Sequence, residues 1–279
     1  MVKFGCCLPG GSFMPEGVAA VPQSPADSLV AKCRYILETG FDFTEVAGGM
    51  LVGLDDAGWK RVLAENEKSS LGLYAANSLF PKELKMGDPT ADRDAQKAYI
   101  QKLVDRFVPL GIRYAVFGSG VARSIPDGVS RADGIAALRR FMGDFADCAY
   151  SRGVTLVIEP LRKKETNVYV TVPETAAEVR TLANPGIRLL CDAFHMAEEG
   201  TPTDAVLAAG ELIRHCHMAE APDRTCPGKY TTGDPQYNRD FAHCLNRIGY
   251  TGGVSAECGF DDFRTDVPQI LAYLREIFA

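Results

Sequence analysis

Apolar positions along the chain alternate between two periods. Short β-rich runs occupy residues 2–8, 41–46, 71–76, 113–118, 154–159, 187–192, 212–218 and 253–258, and each is followed by a helix-like or connecting segment. Leu29, Val30, Cys33, Ile36 and Leu37 form one helical stripe, with Ser24-Pro25 as its start and Gly40 as its stop. Ile135, Leu138, Phe141, Met142 and Phe145 mark a long helix ending before Gly153. Val267, Ile270, Leu271, Leu274, Ile277 and Phe278 mark the last helix, with Thr265 as the candidate cap. Strands alternating with helices require parallel crossovers. Eight such units in 279 residues predict an α/β fold, a (β/α)8 TIM barrel forming a single domain over residues 1–279, in preference to a doubly wound sheet.

Two Gly/Pro-rich loops break the rhythm, at 9–24 after the first strand and at 221–236 after the seventh. Loops of that length on the C-terminal face of a barrel commonly cover an active site. The balance of 30 basic and 36 acidic residues gives a net charge of −6, which disfavours a partner held by phosphate neutralisation, so no nucleic acid is expected. No run approaches the ~18 apolar residues of a membrane span, and the start lacks a secretory apolar region; a soluble cytoplasmic protein is expected. Nine scattered cysteines without a C-x-x-C pair read as reduced thiols, several of them small buried hydrophobes such as Cys191.

The last four strands end in residues able to bind a cation: Glu159, Asp192, His217 and Glu257. Strand ends on the C-terminal face of a barrel converge on one mouth, so four residues far apart in sequence would meet there. Each acid alone reads as a helix cap or a surface charge. Three carboxylates gathered at the ends of apolar strands repel one another unless a cation sits between them. Period-two alternation puts Val157, Leu190, His215 and Ser255 in the layer beneath, makes His215 a packed or hydrogen-bonding residue, and points Cys216 outward. Three oxygen donors and one imidazole favour one hard divalent ion, Mn²⁺ first, with Mg²⁺ or Co²⁺ as alternatives.

With those residues placed, IEPLRKKETN, LLCDAFHM, HCHMAEAPDR with CPGK, and AEC resemble the xylose-isomerase-like barrel superfamily, most closely its ketose 3-epimerase and hydroxypyruvate isomerase branch. The resemblance implies that Glu159, Asp192, His217 and Glu257 bind the metal. It further implies that Glu165, His195 and Arg224 bind substrate. One extra residue between His217 and Arg224, relative to the ketose epimerases, is closer to the hydroxypyruvate isomerase spacing. FGSGVAR at 117–123 also looks like loops of sugar phosphate isomerases, although a plain turn explains it as well. Homodimers and homotetramers are common among resembling proteins.

A cation holding a sugar's carbonyl and adjacent hydroxyl acidifies the neighbouring C–H and stabilises an enediolate. With Glu159 and Glu257 on opposite faces as catalytic carboxylates, one removes the proton and the other returns it, giving epimerisation; with one Glu serving both carbons the result is aldose–ketose isomerisation. A dehydratase acting on a keto-inositol or dehydroshikimate-like acid would use the same metal and base but expel a hydroxyl. A three-zinc DNA-repair barrel would need more histidines than the four present, and a non-catalytic sugar-binding barrel would leave the metal and both glutamates idle. Arg162, Lys163 and Lys164 read either as a substrate phosphate or carboxylate site or as a solvated basic run. Phe13, Glu45, Asn77 and Phe80 are the early-loop positions expected to face substrate.

Overall fold

The computed structural model describes residues 1–9 and 24–279. Its strands are β1 (Lys3–Cys7), β2 (Phe43–Ala47), β3 (Leu73–Asn77), β4 (Tyr114–Phe117), β5 (Thr155–Ile158), β6 (Ile187–Asp192), β7 (Ile213–Met218) and β8 (Gly253–Ala256). Every neighbouring pair is parallel, and β8 pairs with β1, so the sheet closes into the expected (β/α)8 barrel and the doubly wound alternative is excluded. Most of the loop expected at 9–24, and Phe13 within it, lies outside the described residues. No helix among the described residues is long and apolar enough to cross a membrane.

Local chemistry sets the helix ends. Ser24 accepts a hydrogen bond from the Asp27 N–H at the start of helix Pro25–Thr39, and Gly40 ends it at φ 104°. Ser130 caps helix Arg131–Ala149 through the Asp133 N–H, and a single further turn runs to Gly153. The last helix departs from expectation. Asp262, not Thr265, is its cap, because the Asp262 carboxylate accepts the Arg264 N–H and draws Phe263 and Thr265 into the first turn.

Two apolar layers support the mouth. Outside the strands, Cys216 joins Phe241, Leu245 and Val254 under the helices, facing away from the barrel interior as alternation predicts. Inside, Val116, Val157 and Leu190 form a fully buried floor with Tyr114 against it. Leu190 lies opposite His215 in the β6–β7 register, and the His215 ring stacks on Tyr114 at 6.0 Å and 12°. The barrel bottom is filled by Phe43 and Tyr74, whose rings are 4.8 Å apart. A Cβ on Gly5 would lie 2.0 Å from the Phe43 ring, so β1 needs glycine there for that ring to enter the barrel. All nine cysteines are free thiols.

Candidate active site at the barrel mouth

Closure of the barrel brings the four expected ligand residues together. One donor atom from each of Glu159, Asp192, His217 and Glu257 lies within 4.8 Å of the others. Asp192 ends β6 and His217 lies opposite it in β7. Glu159 and Glu257 stand one residue beyond β5 and β8, so their side chains leave the first turn of loop rather than the strands themselves. His217 Nδ1 is 3.0 Å from Glu159 Oε1 and 3.0 Å from Glu257 Oε2. Asp192 Oδ2 is buried without a hydrogen-bond partner, and so are both ring nitrogens of His195, 3.5 Å away at the nearest. An unpaired buried carboxylate oxygen facing two further carboxylates and an imidazole is the environment a divalent cation satisfies. The donor set therefore fits such an ion.

The three expected substrate residues line the same cavity, of about 320 Å³, together with Asn77, Ser78, Phe80 and Gly118. Arg224 Nη2 bonds Glu257 Oε2 at 2.5 Å and lies 3.8 Å from Asp192 Oδ2. The guanidinium groups of Arg224 and Arg162 each sit 4.9 Å from the Phe194 ring centre, so one ring carries both cations. Glu165 accepts a 2.7 Å bond from Arg162 and lies 4.0 Å from His195 Nδ1. Three non-glycine residues of the rim, Ser78, Ser119 and Arg224, have φ of 46°, 45° and 54°, left-handed conformations that cost about 1 kcal/mol each. Such strain persists where the surrounding contacts determine a side-chain direction, as those of Arg224 do.

Burial and neighbouring charge separate the two glutamates. Burial raises the Glu159 carboxyl above its ordinary range, with the negative Glu257 adding to the shift against a hydrogen bond from His217. Burial acts on Glu257 in the same sense, but the charges of His217 and Arg224 outweigh it and lower the group to about 2. His217 is desolvated as well, yet the surrounding glutamates raise it well above its ordinary value.

Sequence reasoning misjudged several neighbours of this centre. Glu45, expected to face substrate, has no exposed surface; its two oxygens bond His215 Nε2 at 2.7 Å and His217 Nε2 at 2.9 Å. The parity of FDFTEV carried the signal, since Glu45 shares the inward face of Phe43. Asn77 does line the cavity, but its amide is already committed to Glu257 Oε1 at 2.8 Å. Residues 117–123 are more than a plain turn, and Gly118, Ser119 and Gly120 line the cavity. They lead into a short helix, Gly120–Arg123, and send Arg123 into the interior, where it bonds the carbonyls of Phe117 at 2.6 Å and Glu159 at 2.7 Å. Gly118 makes room for the centre, because a Cβ there would stand 2.5 Å from Glu159 Oε2. Arg162, Lys163 and Lys164 are paired with Glu165, Glu198 and Glu199, a surface network.

The model of the xylose isomerase-like TIM barrel matches residues 33–277. The chain belongs to that family. Among curated relatives, the D-psicose 3-epimerase of Agrobacterium fabrum (strain C58 / ATCC 33970) is 29% identical over 231 residues, covering 80% of this chain and 76% of the relative. The ketose 3-epimerase of Arthrobacter globiformis is 27% identical over 289 residues, covering 100% of this chain and 91% of its own. Among solved structures, D-allulose 3-epimerase from Methylomonas sp., in complex with D-allulose, superposes with a TM-score of 0.78 at 20% identity, over 99% of this chain and 96% of that one. The named relatives are epimerases, a class of isomerase, and the superposition confirms the barrel.

Proposed function

We propose that the chain is a divalent-metal-dependent ketose 3-epimerase acting on an unphosphorylated sugar. The observation that carries this reading is the meeting of Glu159, Asp192, His217 and Glu257 at the mouth, with both glutamates on the rim of one sugar-sized cavity. Its support from outside the structure is the activity named for the relatives at 29% and 27% identity. A cation, Mn²⁺ in the first instance, would be held by those four residues and would polarise the substrate carbonyl. Glu159 and Glu257 approach the cavity from β5 and β8. One takes the proton from the carbon next to the carbonyl and the other delivers a proton to the opposite face of that carbon, which inverts it. His195, Glu165 and Arg224 are placed to orient hydroxyl and carbonyl oxygens. Arg162, Lys163 and Lys164 already face carboxylates, and Arg224 is engaged with Glu257, so the described residues leave no uncommitted cation at the cavity for a phosphate group.

The test is a panel of ketoses, aldoses and their phosphates given to metal-stripped protein with and without Mn²⁺, with products resolved by NMR and mass. A free ketose converted to its C3 epimer at unchanged mass, only with metal, is the expected outcome. Loss of water would make the enzyme a dehydratase; full activity after stripping would remove the metal from the mechanism. The same proposal makes a free sugar the partner, places the enzyme in the cytoplasm, and has it assemble as a homodimer or homotetramer, a state that light scattering measures directly.

A further inference from the structure

We propose that Glu45 is a positioning residue for the metal centre: it holds the His217 ring so that, with a cation bound, the proton sits on Nε2 and the Nδ1 lone pair faces Glu159, Asp192 and Glu257. This rests on the metal-centre reading above. The geometry is a chain of contacts through the barrel interior. His217 Nε2 is 2.9 Å from Glu45 Oε1, while Nδ1, on the other side of the ring, faces the two glutamates at 3.0 Å each. An ionised carboxylate can only accept hydrogen bonds, so a ring nitrogen held against it is a donor. Without metal, Nδ1 is held against Glu159 and Glu257 in the same way and donates as well; a cation among the four residues would take the place of that proton, leaving the ring neutral with its remaining proton on Nε2, against Glu45.

The second oxygen of Glu45 is held as firmly as the first. It accepts from His215 Nε2 at 2.7 Å, and the His215 ring in turn stacks on Tyr114. Both carboxylate oxygens are thus committed, and the carboxylate plane cannot turn without breaking one of two buried bonds. Glu45, His215 and His217 all have 0% exposure, so water does not compete for these contacts. Glu45 does not line the cavity, and no substrate contact is assigned to it.

A competing arrangement exists in the same place. Cys7, Glu45 and His217 also bring donor atoms within 4.8 Å of one another and could hold an ion of their own. That ion would have to take His217 through Nε2 and displace the Glu45 hydrogen bond. The two arrangements therefore put the proton of the ring on opposite nitrogens.

The experiment is NMR on the full chain with ¹⁵N-labelled histidine, metal-stripped and then loaded with Zn²⁺, a diamagnetic probe. The expected spectra keep a proton on Nε2 in both states, with Nδ1 protonated in the stripped protein and giving up its proton to the metal on loading. A proton kept on Nδ1 in the zinc-loaded protein, or zinc bound through Nε2, overturns the proposal. Calorimetric titration with Mn²⁺ supplies a second readout. Glu45→Gln keeps an acceptor oxygen and is expected to bind less weakly than Glu45→Leu, which removes it and is expected to lose about 10–100-fold in affinity. Affinity within twofold of the unsubstituted protein in both variants would also overturn the role of Glu45. If Glu45→Leu does not fold, Glu45→Gln and the spectra of the unsubstituted chain decide the matter alone. Failure of the unsubstituted chain to bind either ion overturns the metal-centre reading and this inference together, whereas binding that ignores Glu45 overturns only the inference.

Discussion

The two halves of the barrel wall contribute differently to the mouth. The four donors Glu159, Asp192, His217 and Glu257 come from the ends of β5 to β8. The half from β1 to β4 supplies groups that touch those donors: Glu45 bonds His217, Asn77 bonds Glu257, Arg123 bonds the Glu159 carbonyl, and Gly118 leaves space for the Glu159 carboxylate. One half brings the chemistry and the other sets its geometry. Closure of the barrel makes this division workable, because Glu159, His217 and Glu257 each meet a partner from the other half, while Asp192 is left with an open carboxylate oxygen.

The sharpest way to break this comparison is to weigh substitutions from the two halves against each other. Glu159→Gln and Glu257→Gln are expected to lower kcat by about 1000-fold, the middle to upper range for a carboxylate that moves a proton, with circular dichroism unchanged. Turnover within tenfold of the parent in either variant would remove that residue from the proton path. Arg123→Met should act mainly on stability. It strips a charged donor from two buried carbonyls at 2.6 and 2.7 Å, and a loss of about 3 kcal/mol in denaturant unfolding is expected. A stable Arg123→Met protein would show that Glu159 does not need its backbone held.

Asn77→Ala probes the supporting half with a smaller change. Losing the 2.8 Å bond to Glu257 Oε1 should reduce kcat/KM by about tenfold while the melting temperature hardly moves. A loss as large as that of Glu257→Gln would place Asn77 among the catalytic groups and blur the division between the halves. At the bottom of the scale lies Asp144, on helix Arg131–Ala149 and paired with Arg93. Its carboxyl is held below its ordinary value of 3.8, first by hydrogen bonds from Arg93 and then by that residue's charge. A carboxyl lowered by folding contributes stability above its unfolded pKa and loses that contribution as the pH falls through the folded one. Asp144→Asn should therefore cost about 0.5 kcal/mol at pH 7, and the difference from the parent should shrink below pH 3.8. A difference that grows in acid would reverse the sign of the assignment.

The same division explains what could be read from the sequence. The ligand half was legible because it consists of ionisable residues at the ends of apolar runs, as in VTLVIEP and IRLLCDAFH, a local signal that needs only strand periodicity. The supporting half was not, because its meaning depends on register across the barrel. Glu45 lies 172 residues from His217 and Asn77 lies 180 from Glu257. A shift of one residue would turn either side chain to the opposite face. Glu45 and Asn77 were therefore singled out as positions, while their partners stayed hidden. Arg123 gave no signal at all, since a basic residue after a Gly-Ser-Gly turn reads as solvated and only the short helix Gly120–Arg123 turns it inward. The Thr265 cap failed for a more local reason, as two cap-competent residues stood three apart and the carboxylate of Asp262 took the N–H first.

The floor of Val116, Val157 and Leu190 has a consequence for traffic rather than for binding. Among the described residues, closed apolar packing lies under the donors. Under the proposed function, the sugar and the water that reaches Glu159 would share the cavity at the mouth, and a seated sugar would act as its stopper. A proton lifted onto a carboxylate behind that stopper has two fates, return to the sugar or escape when the stopper leaves. The residence time of such a sugar, set at the rim, would then govern how much of the solvent's hydrogen ends up in product.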